Sequence, residues 1–280
     1  MWEIFVVLIL GLVQGASEFL PISSSGHLVV LYNIFDITQN TILLSVILHT
    51  ATLIAVCVCY HKELFLLIKH PFCKTNIKLL VATIPTVILA LIFKNVVEQS
   101  FGGDFVIFGF LTTALILVVS QNIKTRTKVN LNTGFMTQTN NFVDNNITNI
   151  NISYWQACII GVTQGLAIFP GISRSGSTIA TALMCGVRKS DAADFSFLLS
   201  IPVILGGLVF EVVDVINGAQ IVAFGFGGMA IGFLVAFVSG LVSIKLMLKF
   251  VKNKKLTWFS IYLLLLCVFL MLNKFVFGWF

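Results

Sequence analysis

The sequence predicts an all-α polytopic membrane protein: two inverted-topology repeats, each a re-entrant helical hairpin followed by three transmembrane helices. Three observations carry that reading. Only 10% of the 280 residues are charged and 58% are hydrophobic, where a soluble domain carries about 25% charged residues. Apolar runs approaching the roughly 20 residues of a membrane span recur along the chain, and mean hydropathy is +1.02. Finally, Gly11–His27 lies over Gly161–Ser177 without gaps at an offset of 150, with eight of seventeen positions identical.

In order, residues 4–20 are apolar, Pro21–Gly26 breaks the run, and 27–35 resumes it. Spans are expected at 42–60, 79–94 and 105–121. The second half repeats the plan: 154–169, a break at Pro170–Ser177, 178–187, then spans at about 195–213, 220–248 and 256–276. The divisions are therefore 1–121 for the first repeat, 122–152 for an Asn/Thr-rich linker, and 153–280 for the second repeat. The arms of each broken run are read as too short for two spans, so each pair enters and leaves on one side. Three spans per repeat then invert the second half.

Loop charge sets the sides. Lysines cluster in 61–78, 122–152 and 249–255, which are expected in the cytoplasm. Segments 36–41 and 211–219, and the stretch near Glu98 and Asp104, are acid-biased and expected outside. The net charge of +6 reflects these loops, and no nucleic-acid partner is implied. Trp2, Trp155, Trp258 and Trp279 fall near span ends as interface anchors. The six cysteines read as small apolar residues, without metal or disulfide spacing. The N-terminus has Glu3 where a signal peptide would be basic, and is expected to stay in the mature protein.

Charge inside an apolar segment is expensive, about 2.5–3.5 kcal/mol per residue on insertion scales. Glu18 and Arg174 alone sit deep, one at each hairpin tip, whereas Lys245 is near enough to a helix end to snorkel. Inverted packing places sites near the midplane, where broken helices meet. The first tip supplies Gln14, Glu18, Ser23, Ser24, Ser25 and His27; the second supplies Gln164, Gly171, Ser173, Arg174, Ser175, Ser177 and Thr178. A Gly/Ser-rich turn opening a helix offers amide N–H groups to an anion, and Arg174 adds a bidentate phosphate ligand. Glu18 with Gln14 suits a divalent cation or the orientation of a hydroxyl, His27 a proton transfer, and Ser24 a nucleophile. These are parts of phosphoryl transfer, and a site inside the bilayer implies a lipid-tailed substrate. His49 reads as a packed helix residue, and His61 and His70 as surface residues. Two other readings compete. A Glu18–Arg174 pair that only holds the hairpins together is one. A transporter or lipid flippase is the other, although Ser, His and Glu beside Arg exceed what binding alone requires.

The segment Gln14-Gly15-Ala16-Ser17-Glu18 through Ser23-Ser24-Ser25-Gly26-His27 resembles the (E/Q)xxxE-to-SSxGH motif of the undecaprenyl-diphosphate phosphatases, also called bacitracin-resistance proteins. Pro170-Gly171-Ile172-Ser173-Arg174-Ser175-Gly176-Ser177-Thr178 resembles their PGxSRSxxT motif. The resemblance implies hydrolysis of undecaprenyl diphosphate to the monophosphate carrier of cell-wall synthesis, with bacitracin resistance and cell-shape maintenance as consequences. It implies Glu18, Ser24, His27 and Arg174 as catalytic residues and a bacterial inner-membrane site open to the outer face. The expected substrate contacts are Gln14, Ser23, Ser25, Gln164, Gly171, Ser173, Ser175 and Thr178. A divalent cation, Mg or Ca, is implied on Glu18; Gln14 leaves that carboxylate as the one acidic candidate. A homodimer is the expected assembly.

Overall fold

The computed structural model describes residues 2–37, 41–100, 103–122, 150–216, 225–253 and 256–277. The described residues contain helices and no strand. The first half holds α1 (Trp2–Phe19), α2 (Ser24–Ile34), α3 (Ile42–Cys59), α4 (His61–Lys69), α5 (Lys74–Gln99) and α6 (Gly103–Asn122). The second holds α7 (Tyr154–Leu166), α8 (Arg174–Met184), α9 (Lys189–Ile216), α10 (Phe226–Asn253) and α11 (Thr257–Leu272), which runs into a π-helical turn at Asn273–Phe277. Most of the linker expected at 122–152 lies outside the described residues.

Among the described residues, seven helices are long and apolar enough to cross a membrane: the six expected spans, α3, α5, α6, α9, α10 and α11, and also α1. The arms α2, α7 and α8 are short, at 11, 13 and 11 residues, but α1 has 18. At 1.5 Å per residue that is about 27 Å, close to the bilayer's hydrocarbon thickness. Helix α1 is thus of span length while α2 is not, so the first broken pair does not make two full spans. Side chains such as Ile84, Leu91, Phe108, Leu115, Val209 and Leu265 stand exposed on these helices. With lipid as solvent their burial against protein is not required.

Three further boundaries depart from expectation. The basic segment 61–78 holds α4, whose Leu67 is buried while Phe65 and Ile68 are exposed. Helix α9 continues through Ile216, so Glu211 and Asp214 are helical residues instead of loop residues. Helix α10 runs to Asn253 and absorbs most of the basic stretch 249–255.

The packing is reciprocal. Helix α1 lies along α10, and α7 lies along α5; α3 meets α9, and α6 meets α11. Close backbone approach needs glycine at matching places. A Cβ on Gly11 would sit 2.6 Å from Gly232 O, and one on Gly161 would collide with Ala82 O. Polar side chains cross the same contacts: Ser243 Oγ donates to Gly15 O at 2.9 Å, and Thr86 Oγ1 to Gly161 O at 2.8 Å. Helix α7 starts with a full capping box, Ser153 and Gln156, which fixes the entry of the second hairpin.

Candidate active site

The two hairpin turns interlock. Ser175 Oγ donates to Leu20 O at 3.0 Å, while a Cβ on Gly26 would meet Gly171 and one on Gly176 would meet Pro21. Each turn ends on a serine N-cap. Ser23 Oγ accepts from Gly26 N at 3.3 Å, and Ser173 Oγ accepts from Gly176 N at 3.0 Å. Thr113 of α6 clamps the second turn, accepting from Ser173 N at 2.9 Å and donating to Gly171 O at 3.1 Å. Gly171 has φ +88°, which suits glycine. Ser23 adopts φ 69° without being glycine, a strained backbone at the start of α2.

Across this junction Arg174 Nη2 donates to Glu18 Oε1 at 2.5 Å, and Nη1 donates to Ser200 O of α9 at 3.1 Å. Glu18 Oε2 accepts from Ser24 Oγ at 2.5 Å and from Gln14 Nε2 at 3.0 Å. One carboxylate thus joins the serine, the glutamine and the arginine. The pair is largely shielded, with side-chain exposures of 16% for Arg174 and 6% for Glu18. Such a pair is strongly dependent on both partners, because removing one strands a charge in a shielded site.

Two cavities open from this junction and share Glu18, His49, Ala167 and Arg174. The smaller, of about 150 Å³, is lined by Ser17, Ser23, Ser24, Ser25 and Ser173, with Ile172. The larger, of about 250 Å³, adds Gln164 and Glu211 to an apolar wall of Ile168, Val203, Ile204, Gly207 and Leu208.

The remaining expected site residues stand behind this surface. Gln14 is buried behind Glu18, and its Oε1 has no hydrogen-bond partner. Ser175 bridges the turns, Gly171 shapes the second turn, and Thr178 Oγ1 folds back to Arg174 O at 3.0 Å. His27 lines neither cavity. Its Nδ1–H donates to Ser23 O at 2.7 Å, its Nε2 accepts from Tyr262 O–H at 2.7 Å, and its ring packs on Phe110 and Tyr262.

Two titratable cavity residues were not anticipated. His49, read from sequence as packed, lines both cavities, and Glu211, read as an outer-loop acid, lines the larger one. Ser45 links them: its Oγ donates to Glu211 Oε1 at 2.7 Å, and its carbonyl accepts from His49 Nδ1–H at 3.0 Å. The signal available in sequence was the i, i+4 spacing of Ser45 and His49 on one face of an otherwise apolar helix.

Comparison with known proteins gives the family. The family model described as bacitracin resistance protein BacA matches residues 7–269. An undecaprenyl-diphosphatase of Carboxydothermus hydrogenoformans is 38% identical over 266 residues, covering 94% of this chain and 95% of that protein. One from Thermosipho africanus is 38% identical over 268 residues, covering 93% and 96%, and one from Parabacteroides distasonis is 37% identical over 269 residues, covering 92% and 93%. A match of this extent, with both motifs folded into one junction, makes the chain a member of the BacA bacitracin-resistance family.

Proposed function

We propose that this chain hydrolyses undecaprenyl diphosphate to undecaprenyl phosphate and inorganic phosphate. The observation that carries the reading is the single carboxylate, Glu18, bonded to both Ser24 and Arg174 at the junction of two cavities. Ser24 Oγ attacks the terminal phosphorus and its proton passes to Glu18. The bond from that phosphorus to the bridging oxygen breaks, and undecaprenyl phosphate leaves. Water then hydrolyses the phosphoserine and releases phosphate. Arg174 exchanges Glu18 for phosphate oxygens, and its planar fork matches them bidentately. The N–H groups opening α8 add positive potential beside it.

His27 holds Ser23 O and so positions the strained turn that presents Ser24. The acid–base role expected of it requires Nε2 to leave Tyr262. The divalent cation implied by the resemblance fits only as an ion shared with substrate. Gln14 Oε1 and Glu18 suit a hard cation completed by phosphate oxygens, and the described residues contain no group of three or more His, Cys, Asp or Glu placed to hold one alone. When bound, such an ion neutralises diphosphate charge.

The reciprocal helix pairs support two inverted repeats, since Gly232 and Ala82, which contact Gly11 and Gly161, are themselves 150 positions apart. The lysine clusters support an inner-membrane orientation with the site open to the outside. A homodimer is the proposed assembly. Purified protein in detergent tests the activity: phosphate release from undecaprenyl diphosphate without a membrane gradient is expected. Binding without turnover would point to a transporter instead.

A further inference from the structure

The larger cavity has an apolar wall that the phosphate chemistry leaves unused. Its lining from α9 follows helical spacing: Val203, Ile204, Gly207, Leu208 and then Glu211. One turn before Val203, the Ser200 carbonyl holds Arg174. Facing this stripe are Ala167 and Ile168, at the turn that follows α7. Between the polar ends, at Arg174 and at Glu211, lies a short apolar gap centred on Gly207. The gap is open: a Cβ at Gly206 or Gly207 would meet nothing within 4 Å. It also opens to the surface, since Gly207 is itself exposed, as are its sequence neighbours Leu205, Val209 and Phe210.

We propose that this gap seats the first isoprene units of the substrate's chain, with Gly207 as the threshold where the chain passes from the site into the bilayer. The inference rests on the reading of the site as a polyprenyl diphosphate hydrolase and assigns that site's two cavities. Ser24 lines only the smaller, serine-walled cavity, so the terminal phosphate lies there. Glu18, His49 and Arg174 are common to both, so the diphosphate spans the junction. The leaving group, phosphate plus chain, then occupies the cavity with the apolar wall. Seating the chain there keeps the inner phosphorus away from Ser24 and directs cleavage to the terminal phosphate. Glycine at 207 leaves room for methyl-branched hydrocarbon, and apolar contact with Val203, Ile204 and Leu208 favours it over water.

The test compares Gly207→Leu with wild type on two substrates, undecaprenyl diphosphate and methyl diphosphate, in detergent. The added side chain enters open space, so the fold is expected to persist. The expected result is a KM for undecaprenyl diphosphate raised about tenfold or more, with kcat/KM for methyl diphosphate within about twofold of wild type. Gly228→Leu, at another open position away from the cavity, is expected to change neither. Equal loss on both substrates, or no loss on either, overturns the proposal. Photolabelling of the wild-type protein decides where turnover is absent or the variant fails to accumulate. A farnesyl diphosphate carrying a diazirine on its first isoprene is expected to mark 203–208 or Ala167–Ile168. Adducts confined to other segments overturn the proposal. Wild-type protein that labels at α9 but releases no phosphate from any substrate would refute the hydrolase reading and leave the chain site standing.

Discussion

The two hairpin turns are built on the same Ile-Ser-x-Ser-Gly plan and do different work. Both end on a serine whose side chain caps the next helix, and in both that serine pairs with a second hydroxyl at 3.3 Å, Ser23 with Ser25 and Ser173 with Ser175. The second turn is relaxed, with Ser173 at φ −76°, and is clamped on both sides by Thr113. The first is strained, with Ser23 at φ 69°, and is held through its carbonyl by His27. The difference falls where the proposed chemistry differs. The relaxed turn carries Arg174, whose long side chain reaches the site from an ordinary helix start. The strained turn must bring the short Ser24 side chain against Glu18, which lies six residues earlier on the preceding helix. Strain at a functional site persists only where its surroundings over-determine it, and His27 with Tyr262 is that surrounding here.

The largest expected effects come from removing the group each turn is proposed to contribute to the reaction. Ser24→Ala is expected to lower kcat by more than about 10³-fold and to abolish a trapped phosphoenzyme. Retained turnover without a phosphoenzyme would assign the attack to water. Arg174→Ala is expected to lose about 10³-fold, and Arg174→Lys on the order of 10²-fold with normal membrane accumulation, because lysine keeps charge but loses the fork. Wild-type turnover by Arg174→Lys would exclude bidentate phosphate binding by this residue.

The next effect is smaller and comes from outside both turns. Glu211→Gln and His49→Ala are each expected to lower kcat/KM about tenfold, with the double variant close to the worse single one, since Ser45 joins them into one unit. Additive losses would separate them. The smallest effect compares the turns directly. Ser23→Gly relieves a positive φ while Ser173→Gly relieves nothing, and glycine replaces serine as an N-cap at a cost of a few tenths of a kcal/mol. Thermal unfolding in detergent is expected to show Ser23→Gly more stable than Ser173→Gly by about 1 kcal/mol. Equal shifts would show that the φ of Ser23 is not a source of strain.

Much of this was legible in sequence because the signals were local. The hydropathy runs and the offset of 150 gave the six long spans and both turns, and the cost of charge in lipid singled out Glu18 and Arg174. What escaped was three-dimensional. Glu211 fell where the expected span at about 195–213 overlapped the expected outer segment 211–219; helix α9 continues to Ile216 and places it in a cavity wall. His49 looked packed because its helix is mostly apolar, and the approach of α3 to α9 opens it to the site. His27 sits beside Ser24 in sequence, yet the direction of its ring was fixed by Tyr262, 235 residues away.

The central claim is that the Glu18–Arg174 bridge is a substrate site and not only a clasp between hairpins. Exchanging the pair, Glu18→Arg with Arg174→Glu, tests it most directly. A clasp survives the exchange, since the opposite charges still meet. A site does not, because Ser24 would then face a guanidinium and the phosphate a carboxylate. The expected result is a double variant that accumulates in the membrane better than either single exchange and releases no phosphate above background from undecaprenyl diphosphate. Phosphate release by the double variant near the wild-type rate would contradict the account.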